Sequence, residues 1–331
     1  MKNERNINLD ILRFLGLFII MIAHTVPPGW LFQLRNFGTP LLVFSSGLTY
    51  AYIYQRREIH AFNFVKKRTF NLIYSSWLFL LLFFMFFMLT DYMGFSNTQF
   101  NMKIITDSFL YKGGIGYLWI FKIYLILAIF TPRCIRVNNS KISNFKIGLI
   151  IVFIYALYEL ALSFQKLKTS MEIFFNFIPY LLIYICAFRF NTLRTKDILI
   201  ISSISLFIFI YFLITLYLKN GHFIPTQEYK YPPRLYYLSY AMFFITLLYV
   251  TTRYLVIKKD SIIALVKWLS GNSLKFYLWH IFILYASTEI FNYEYSTSNF
   301  LRSLLMVISC TLIATYCHNK TKELMSKTKF K

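Results

Sequence analysis

The chain has 331 residues, of which 58% are hydrophobic, 21% are aromatic and only 15% are charged, and its formal net charge is +22. One soluble core of this length cannot bury so much apolar side chain, so the composition excludes a soluble globular protein. Apolar runs of about 18 to 24 residues recur along the sequence, and each is long enough to cross roughly 30 Å of hydrocarbon. The predicted fold class is therefore all-α, in a polytopic membrane protein.

About ten transmembrane helices are predicted, connected by short loops and forming a single domain over residues 1–331. Most of the 35 Lys and Arg residues fall on one side of these helices, which places both termini in the cytoplasm. The positive charge thus reports topology and requires no nucleic-acid partner. The four cysteines are scattered without metal-ligand spacing, so no metal site is predicted. The predicted helix centres are Leu17, Ser46, Phe79, Lys122, Phe153, Leu182, Ile208, Phe244, His280 and Ile308.

The first predicted helix carries three ionisable residues in the otherwise apolar stretch LDILRFLGLFIIMIAH, which ends at His24. At about 100° and 1.5 Å per residue, Asp10, Arg13 and His24 fall on one stripe, with Arg13 and His24 roughly 16 Å apart along the axis. A guanidinium binds phosphate or carboxylate oxygens, and a neutral imidazole suits a general base. Such a stripe would suit a long ligand that is charged at one end and reactive at the other.

A simpler interpretation of the same three residues is structural. Arg13 would then reach the headgroups and pair with Asp10, while His24 would lie at the outer interface. Ionisable groups inside a membrane nevertheless favour a functional hypothesis, and three on one face favour it more than one alone.

The first two predicted helices resemble the opening of the acyltransferase-3 family of membrane acyltransferases. That family's signature is an arginine, ten residues and a histidine, which Arg13 and His24 match, and Asp10 matches an aspartate three residues before the arginine. The second helix begins with GTPLLVFSSGL, which is similar to the family's glycine, aromatic run and Ser-Gly at Ser46. Leu42 and Val43 depart from the more usual aromatic residues.

Two later segments also resemble that family, in the expected order. They are YLWIFKIYLILAIFTP, which contains Trp119, and WLSGNSLKFYLWHIF, which contains His280. One departure lies in the basic segment before the third helix, where two arginines three apart are usual but Arg68 is followed by Asn71. Phosphate contacts would then be shared with Lys66 and Lys67, which are point charges without the guanidinium fork.

The resemblance implies transfer of an acyl group, commonly acetyl from acetyl-CoA, to a carbohydrate hydroxyl in the bacterial inner membrane. The acceptor would be a surface polysaccharide such as O-antigen or its lipid-linked precursor. His24 would act as a base or a transient acyl carrier, Arg13 would bind donor phosphate or orient the site, and Asp10 would fix Arg13. Ser46 would donate a hydrogen bond at the site. The basic residues expected at the cytoplasmic rim are Arg56, Arg57, Lys66, Lys67 and Arg68.

Four other residues are secondary candidates. Trp119 and His280 belong to the segments that resemble the family, although a lone histidine in a helix is more often a packing residue. Lys122 and Glu159 are expected near the middle and outer half of their helices, where they could form a structural ion pair or take part in catalysis.

Other functions also fit parts of the pattern. Ten helices with buried charge would suit a transporter that exports or flips a glycan or moves an acyl group, although no inverted repeat is visible. A membrane-bound O-acyltransferase would place catalysis at His280, but the first helix gives that interpretation no support. No appended soluble domain is expected, so transfer would be completed within the helices or with a partner protein.

Overall fold

The computed structural model of the chain describes residues 5–55, 57, 59–96, 98, 100–164 and 172–328, with the backbone alone at 172, 173, 327 and 328. Helices and no β-strand are present in this part of the chain, which confirms the all-α prediction. The α-helices are α1 (Ile7–His24), α2 (Gly29–Leu34), α3 (Gly38–Ile53), α4 (Ala61–Tyr92), α5 (Met102–Phe109), α6 (Trp119–Asn139), α7 (Asn144–Leu162), α8 (Glu172–Phe190), α9 (Thr195–Asn220), α10 (Leu235–Tyr254), α11 (Asp260–Gly271), α12 (Ser273–Glu289) and α13 (Phe300–Thr328). A 3₁₀ turn, Thr226–Tyr229, lies between α9 and α10.

Six of the described helices are long and apolar enough to cross a membrane: α1, α4, α7, α9, α10 and α13. Each of the ten predicted helix centres lies inside a helix. Four of them fall in α3, α6, α8 and α12, which are not among the helices long and apolar enough to cross a membrane. The structure is thus that of a multi-pass membrane protein. The number of ten crossings and the cytoplasmic placement of the termini remain predictions.

Helix α1 occupies the centre of the bundle, where it contacts α3 and the four helices α10 to α13. Its approach to α3 depends on the absence of a side chain at Gly16, because a Cβ there would lie 2.9 Å from the Leu42 side chain. Helix α3 is buried along most of its length between α1 and α8. The first two helices that resemble the acyltransferase-3 family therefore form one tightly packed unit.

The outer helices present apolar side chains to the surroundings. In α7 and α9 only 17% of the most apolar window is buried inside the protein, and side chains such as Phe207 and Val152 are largely exposed. In a membrane protein such surfaces face lipid. The inner helices are shielded from lipid by these outer ones and can carry polar residues.

The start of α6 differs from the sequence prediction. The segment before it contains Gly113, Gly114 and Gly116 at positive φ, a conformation that favours glycine and is incompatible with a helix. The helix consequently begins only at Trp119 and continues beyond Pro132. Lys122 therefore lies in its first turn, and its predicted position near the middle of a membrane helix is wrong.

Candidate active site

Arg13 lies at the wall of a cavity of about 390 Å³ in the half of the bundle where α1 begins. Its Nη2 donates a hydrogen bond to Oγ1 of Thr49 on α3 at 3.0 Å. The guanidinium of Arg68 and the phenol rings of Tyr50 and Tyr124 line the same cavity. Two permanent cations thus face one space whose described lining contains no carboxylate.

The two serines of α3 have different surroundings. Oγ of Ser45 donates to the carbonyl of Leu42 at 3.0 Å, which satisfies it within the helix. Ser46 lines the cavity with Arg13 and is only 7% exposed. Of the two hydroxyls, that of Ser46 is the one that can donate a hydrogen bond to a molecule in the cavity.

Asp10 has a different partner from the one predicted. Its Oδ2 accepts a hydrogen bond from Nε of Arg5 at 2.6 Å, and its Oδ1 accepts one from Oγ of Ser270 at 2.7 Å. Arg5 also donates to the carbonyl of Lys267, so this network ties the start of α1 to α11. Because Arg13 turns toward Thr49 on α3, the prediction that Asp10 directly fixes Arg13 is wrong.

A second cavity, of about 420 Å³, adjoins the first and shares the side chains of Arg13 and Thr49 with it. Arg5 and Arg57 line its other sides. Among the basic residues predicted at the rim, Arg57 and Arg68 line a cavity, whereas Arg56 lies outside the described residues. The remaining two, Lys66 and Lys67, are exposed near the start of α4 and line neither of these cavities.

The histidines of α1 and α12 form a direct pair. Nδ1 of His24 and Nε2 of His280 are 3.0 Å apart, and the two rings are nearly parallel. His280 is completely buried, while His24 is partly accessible. The ring of Tyr117, in the loop before α6, also contacts His24 edge-on, with the two ring centroids 4.6 Å apart. Two candidates that are 256 residues apart in the sequence therefore belong to one site.

Tyr277 separates this histidine pair from the cavity. It lines the cavity that contains Arg13, and its ring centroid is 5.0 Å from that of His280. Its hydroxyl also donates to the carbonyl of Tyr117 at 2.5 Å. The cavity therefore extends from Arg13 to within one side chain of His280, the partner of His24.

A sequence profile of the acyltransferase-3 family, described as an acyltransferase domain, matches residues 6–318 of the chain. The chain belongs to the acyltransferase-3 family. It is a membrane acyltransferase, and the matched region includes every element that contributes to the cavities and to the histidine pair. No curated protein and no solved structure matches the chain.

The remaining candidates of this acyltransferase are separated from the histidine pair or have another partner. Glu159 accepts a hydrogen bond from Tyr155 one turn earlier in α7, and within the described residues it forms no ion pair with Lys122. The pairing prediction is wrong because α7 packs mainly on α8 and not on α6. Trp119 contacts the rings of Tyr180 and Tyr231, at centroid distances of 6.2 and 5.6 Å.

Several polar residues of the acyltransferase were not predicted from its sequence. Thr49 and Ser270 bind the two charged residues of α1, and a hydroxyl residue in an apolar helix is too common to single out by itself. Arg35 and Lys230 lie in connections between helices, where basic residues are ordinarily exposed. In the structure they are only 8% and 7% exposed, and this burial is invisible in the sequence.

Proposed function

We propose that this acyltransferase transfers an acetyl group from acetyl-CoA to a hydroxyl of a surface polysaccharide or its lipid-linked precursor, in the bacterial inner membrane. The observation that carries the proposal is the histidine pair, which Tyr277 separates from a cavity lined by Arg13 and Arg68. A basic cavity suits a donor rich in phosphate, and a paired imidazole suits deprotonation of an alcohol.

The donor would bind at the end of the bundle where α1 begins. Arg13 and Arg68 can each hold phosphate oxygens in a planar fork, while exposed Lys66 and Lys67 would attract the nucleotide at the rim. The extended pantetheine arm then follows α1 for roughly 16 Å toward His24. Ser46 lies along this path as a hydrogen-bond donor. The acyl group has to pass Tyr277 to reach the histidines, so this side chain must move.

The acyl transfer itself uses the ring nitrogen of His24 that His280 does not contact. Nε2 of His24 takes the proton of the acceptor hydroxyl, and the resulting alkoxide attacks the thioester carbonyl. The carbon–sulfur bond breaks, the acetyl group becomes an ester of the acceptor, and the coenzyme A thiolate leaves and takes the proton from His24. His24 is assigned this role because it is partly accessible, whereas His280 is completely buried and cannot reach a substrate.

The experiment uses membranes that contain the protein, labelled acetyl-CoA and the glycan of the producing cell. His24→Ala should lower label transfer by about 10²- to 10⁴-fold, the usual contribution of a general base. His222→Ala is the matched control, because this histidine is exposed and its one hydrogen bond within the described part of the chain is to the nearby Asn220 carbonyl. Label on the protein in the absence of glycan would show that acetyl-histidine forms.

Two outcomes would contradict the proposal. One is a His24→Ala protein that transfers label at the wild-type rate. The other is loss of glycan export with unchanged acetylation, which would favour a transporter.

A further inference from the structure

Two buried cations lie beyond His24, on the side opposite the donor cavity, which is the cavity lined by Arg13 and Arg68. Arg35 follows α2, and Lys230 follows the 3₁₀ turn before α10. Their residues are 8% and 7% exposed. Neither forms an ion pair with any described residue, and Nε of Arg35 has no hydrogen-bond partner there. A buried charge without a counter-ion destabilises the fold and needs an explanation.

The polypeptide around both cations is firmly held. The side chains of Gln33 and Asn36 both donate to Oγ1 of Thr226, at 2.9 and 2.8 Å, and the Thr226 amide donates back to Gln33. The hydroxyl of Tyr240 donates to the carbonyls of Gln33 and Leu34. The connection after α1 is thereby fastened to the segment that presents Lys230, so the two cations are held in fixed relative positions.

Among the residues that the structure describes, no carboxylate acts electrostatically on either cation. The ionisable groups that act on Arg35 are the tyrosines Tyr231, Tyr237 and Tyr240, and the group that acts on Lys230 is Arg35 itself. Burial and the neighbouring guanidinium lower the pKa of Lys230 from 10.5 to about 7. At pH 7 Lys230 is then protonated in only about half of the molecules, and an anionic ligand would favour its charged form.

Both cations act electrostatically on His24. Contacts between rings connect them to it: Nζ of Lys230 lies 5.3 Å from the centroid of the Tyr231 ring, and Tyr231 contacts Trp119. Two residues before Trp119, the ring of Tyr117 contacts His24. Aromatic rings complete the surroundings: Arg35 lies 3.7 Å from the centroid of the Phe32 ring, and Trp119 contacts Tyr231. The hydroxyls of Tyr180 and Tyr237 are near each other without a hydrogen bond of normal geometry, and both are buried. They are available as donors to a ligand.

We propose that Arg35 and Lys230 bind an anionic group of the sugar acceptor, a carboxylate or a phosphate, and so position one of its hydroxyls at His24. This inference rests on the proposed acetyl transfer and names the class of acceptor. A guanidinium fork and an ammonium point charge together match a carboxylate or phosphate, and flat aromatic side chains pack well against sugar rings. The donor phosphates bind at the opposite end of α1, so each end of the site has its own pair of cations.

Binding of small probes to the purified protein in nanodiscs tests the inference. Methyl glucuronide and glucose 1-phosphate should bind, whereas methyl glucoside, which has the same ring without the charge, should bind at least about 10-fold more weakly. The comparison of the first two probes shows whether a carboxylate or a phosphate is preferred. Lys230→Met and Arg35→Gln should each lose about 10-fold in affinity for the anionic probe, and coenzyme A binding should be unchanged.

A control variant isolates the position of the charge. Lys219→Met removes an exposed cation from the last turn of α9, just before the connection that contains Lys230, and this variant should bind methyl glucuronide like the wild type. Equal binding of methyl glucuronide and methyl glucoside would overturn the inference. So would a folded Lys230→Met protein with wild-type affinity for the anionic probe.

Thermal stability gives a second measurement. Without an anion, Lys230→Met should unfold at a higher temperature than the wild type, because the charged Lys230 faces Arg35 and no acid. The pKa of Lys230 is about 7 in the folded protein and 10.5 in the unfolded chain. The stability gained by removing its charge is therefore largest below pH 7, and it shrinks as the pH rises toward 10.5. Methyl glucuronide should stabilise the wild type and not the variant. A Lys230→Met protein less stable than the wild type at pH 7 would assign Lys230 a structural role.

The two proposals fail in different ways. His24→Ala should still distinguish the anionic probe from the neutral one, because the cations remain. If the wild type binds the anionic probe selectively but transfers no acetyl group, the proposed function fails and the anion site remains. If it acetylates neutral and anionic acceptors equally, the proposed function remains and the anion site fails.

Discussion

The reactivity of His24 depends on which of its ring nitrogens carries the proton. His280 is in contact with Nδ1 of His24, so one of the two nitrogens must donate and the other accept. The carbonyls of Phe276 and Tyr277 act on the ring of His280, and they favour a proton on Nδ1, the nitrogen that does not contact His24. Nε2 of His280 is then the acceptor, and Nδ1 of His24 is the donor. This leaves an unprotonated Nε2 on His24, as a base requires.

His280 is therefore expected to act as a positioning residue. His280→Leu should lower kcat for acetyl transfer by about 10²-fold, because the tautomer and orientation of His24 would no longer be fixed, while KM for acetyl-CoA changes little. His280→Gln should recover part of kcat, since its amide oxygen can accept the same hydrogen bond. Steady-state kinetics of both variants check this. A purely packing role would instead make the apolar variant the more active of the two.

The sequence predicted individual residues better than their partners. The helical repeat of α1 predicts that Arg13 and His24 share one stripe; in the structure Arg13 lines the cavity, and His24 contacts His280 on α12. The partner of Asp10 was not predictable from that repeat, since Arg5 reaches it from outside the helix and Ser270 from α11. The pairing of His24 with His280 was likewise missed, because it depends on how α1 and α12 pack.

Among the helices around the cavity, three are not long and apolar enough to count as membrane spans. Helices α3, α6 and α12 contribute to the cavity wall, and none of them meets the length and hydropathy expected of a membrane span. Helices α3 and α12 have only 16 and 17 residues, and α6 carries the charged residues Lys122, Arg133 and Arg136. This explains why the sequence predicted the positions of these helices but left their membrane crossing unproven.

The contact of α3 with α8 depends on Gly47, which follows Ser46. A Cβ at this position would lie 2.8 Å from the carbonyl oxygen of Tyr184 and 2.9 Å from Cβ of Ala187. Because backbone atoms cannot move aside cheaply, Gly47→Ala should destabilise the protein by about 1–3 kcal/mol and shift Ser46 in the cavity. Thermal unfolding in detergent measures the loss. Gly148→Ala in α7 is the control, since a Cβ there contacts nothing within 4 Å, and equal midpoints for the two variants would contradict this account.

In the whole molecule, α1 connects two regions of positive charge. Arg13 and Arg68 line the cavity near its start, and Arg35 and Lys230 lie beyond its end at His24. Such an arrangement lets a donor and an acceptor enter from opposite faces of the membrane and meet at one imidazole. The proposed donor, acetyl-CoA, is made in the cytoplasm. It can reach the cavity near Arg13 only if that end of α1 faces the cytoplasm.

The distribution of basic residues predicts that the end near Arg13 is cytoplasmic, and single cysteines can test this. Lys67 at the start of α4 and Lys219 at the end of α9 are both exposed, and α4, α6, α7, α8 and α9 lie between them. If all five helices cross the membrane, an odd number of crossings places the two positions on opposite faces. In a protein without its native cysteines, Lys67→Cys should react with an impermeant maleimide only in inverted vesicles, and Lys219→Cys only in right-side-out ones. Reaction of both from one face would require an even number of crossings, and the reverse pattern would place the donor cavity on the outer side, where it could not receive acetyl-CoA.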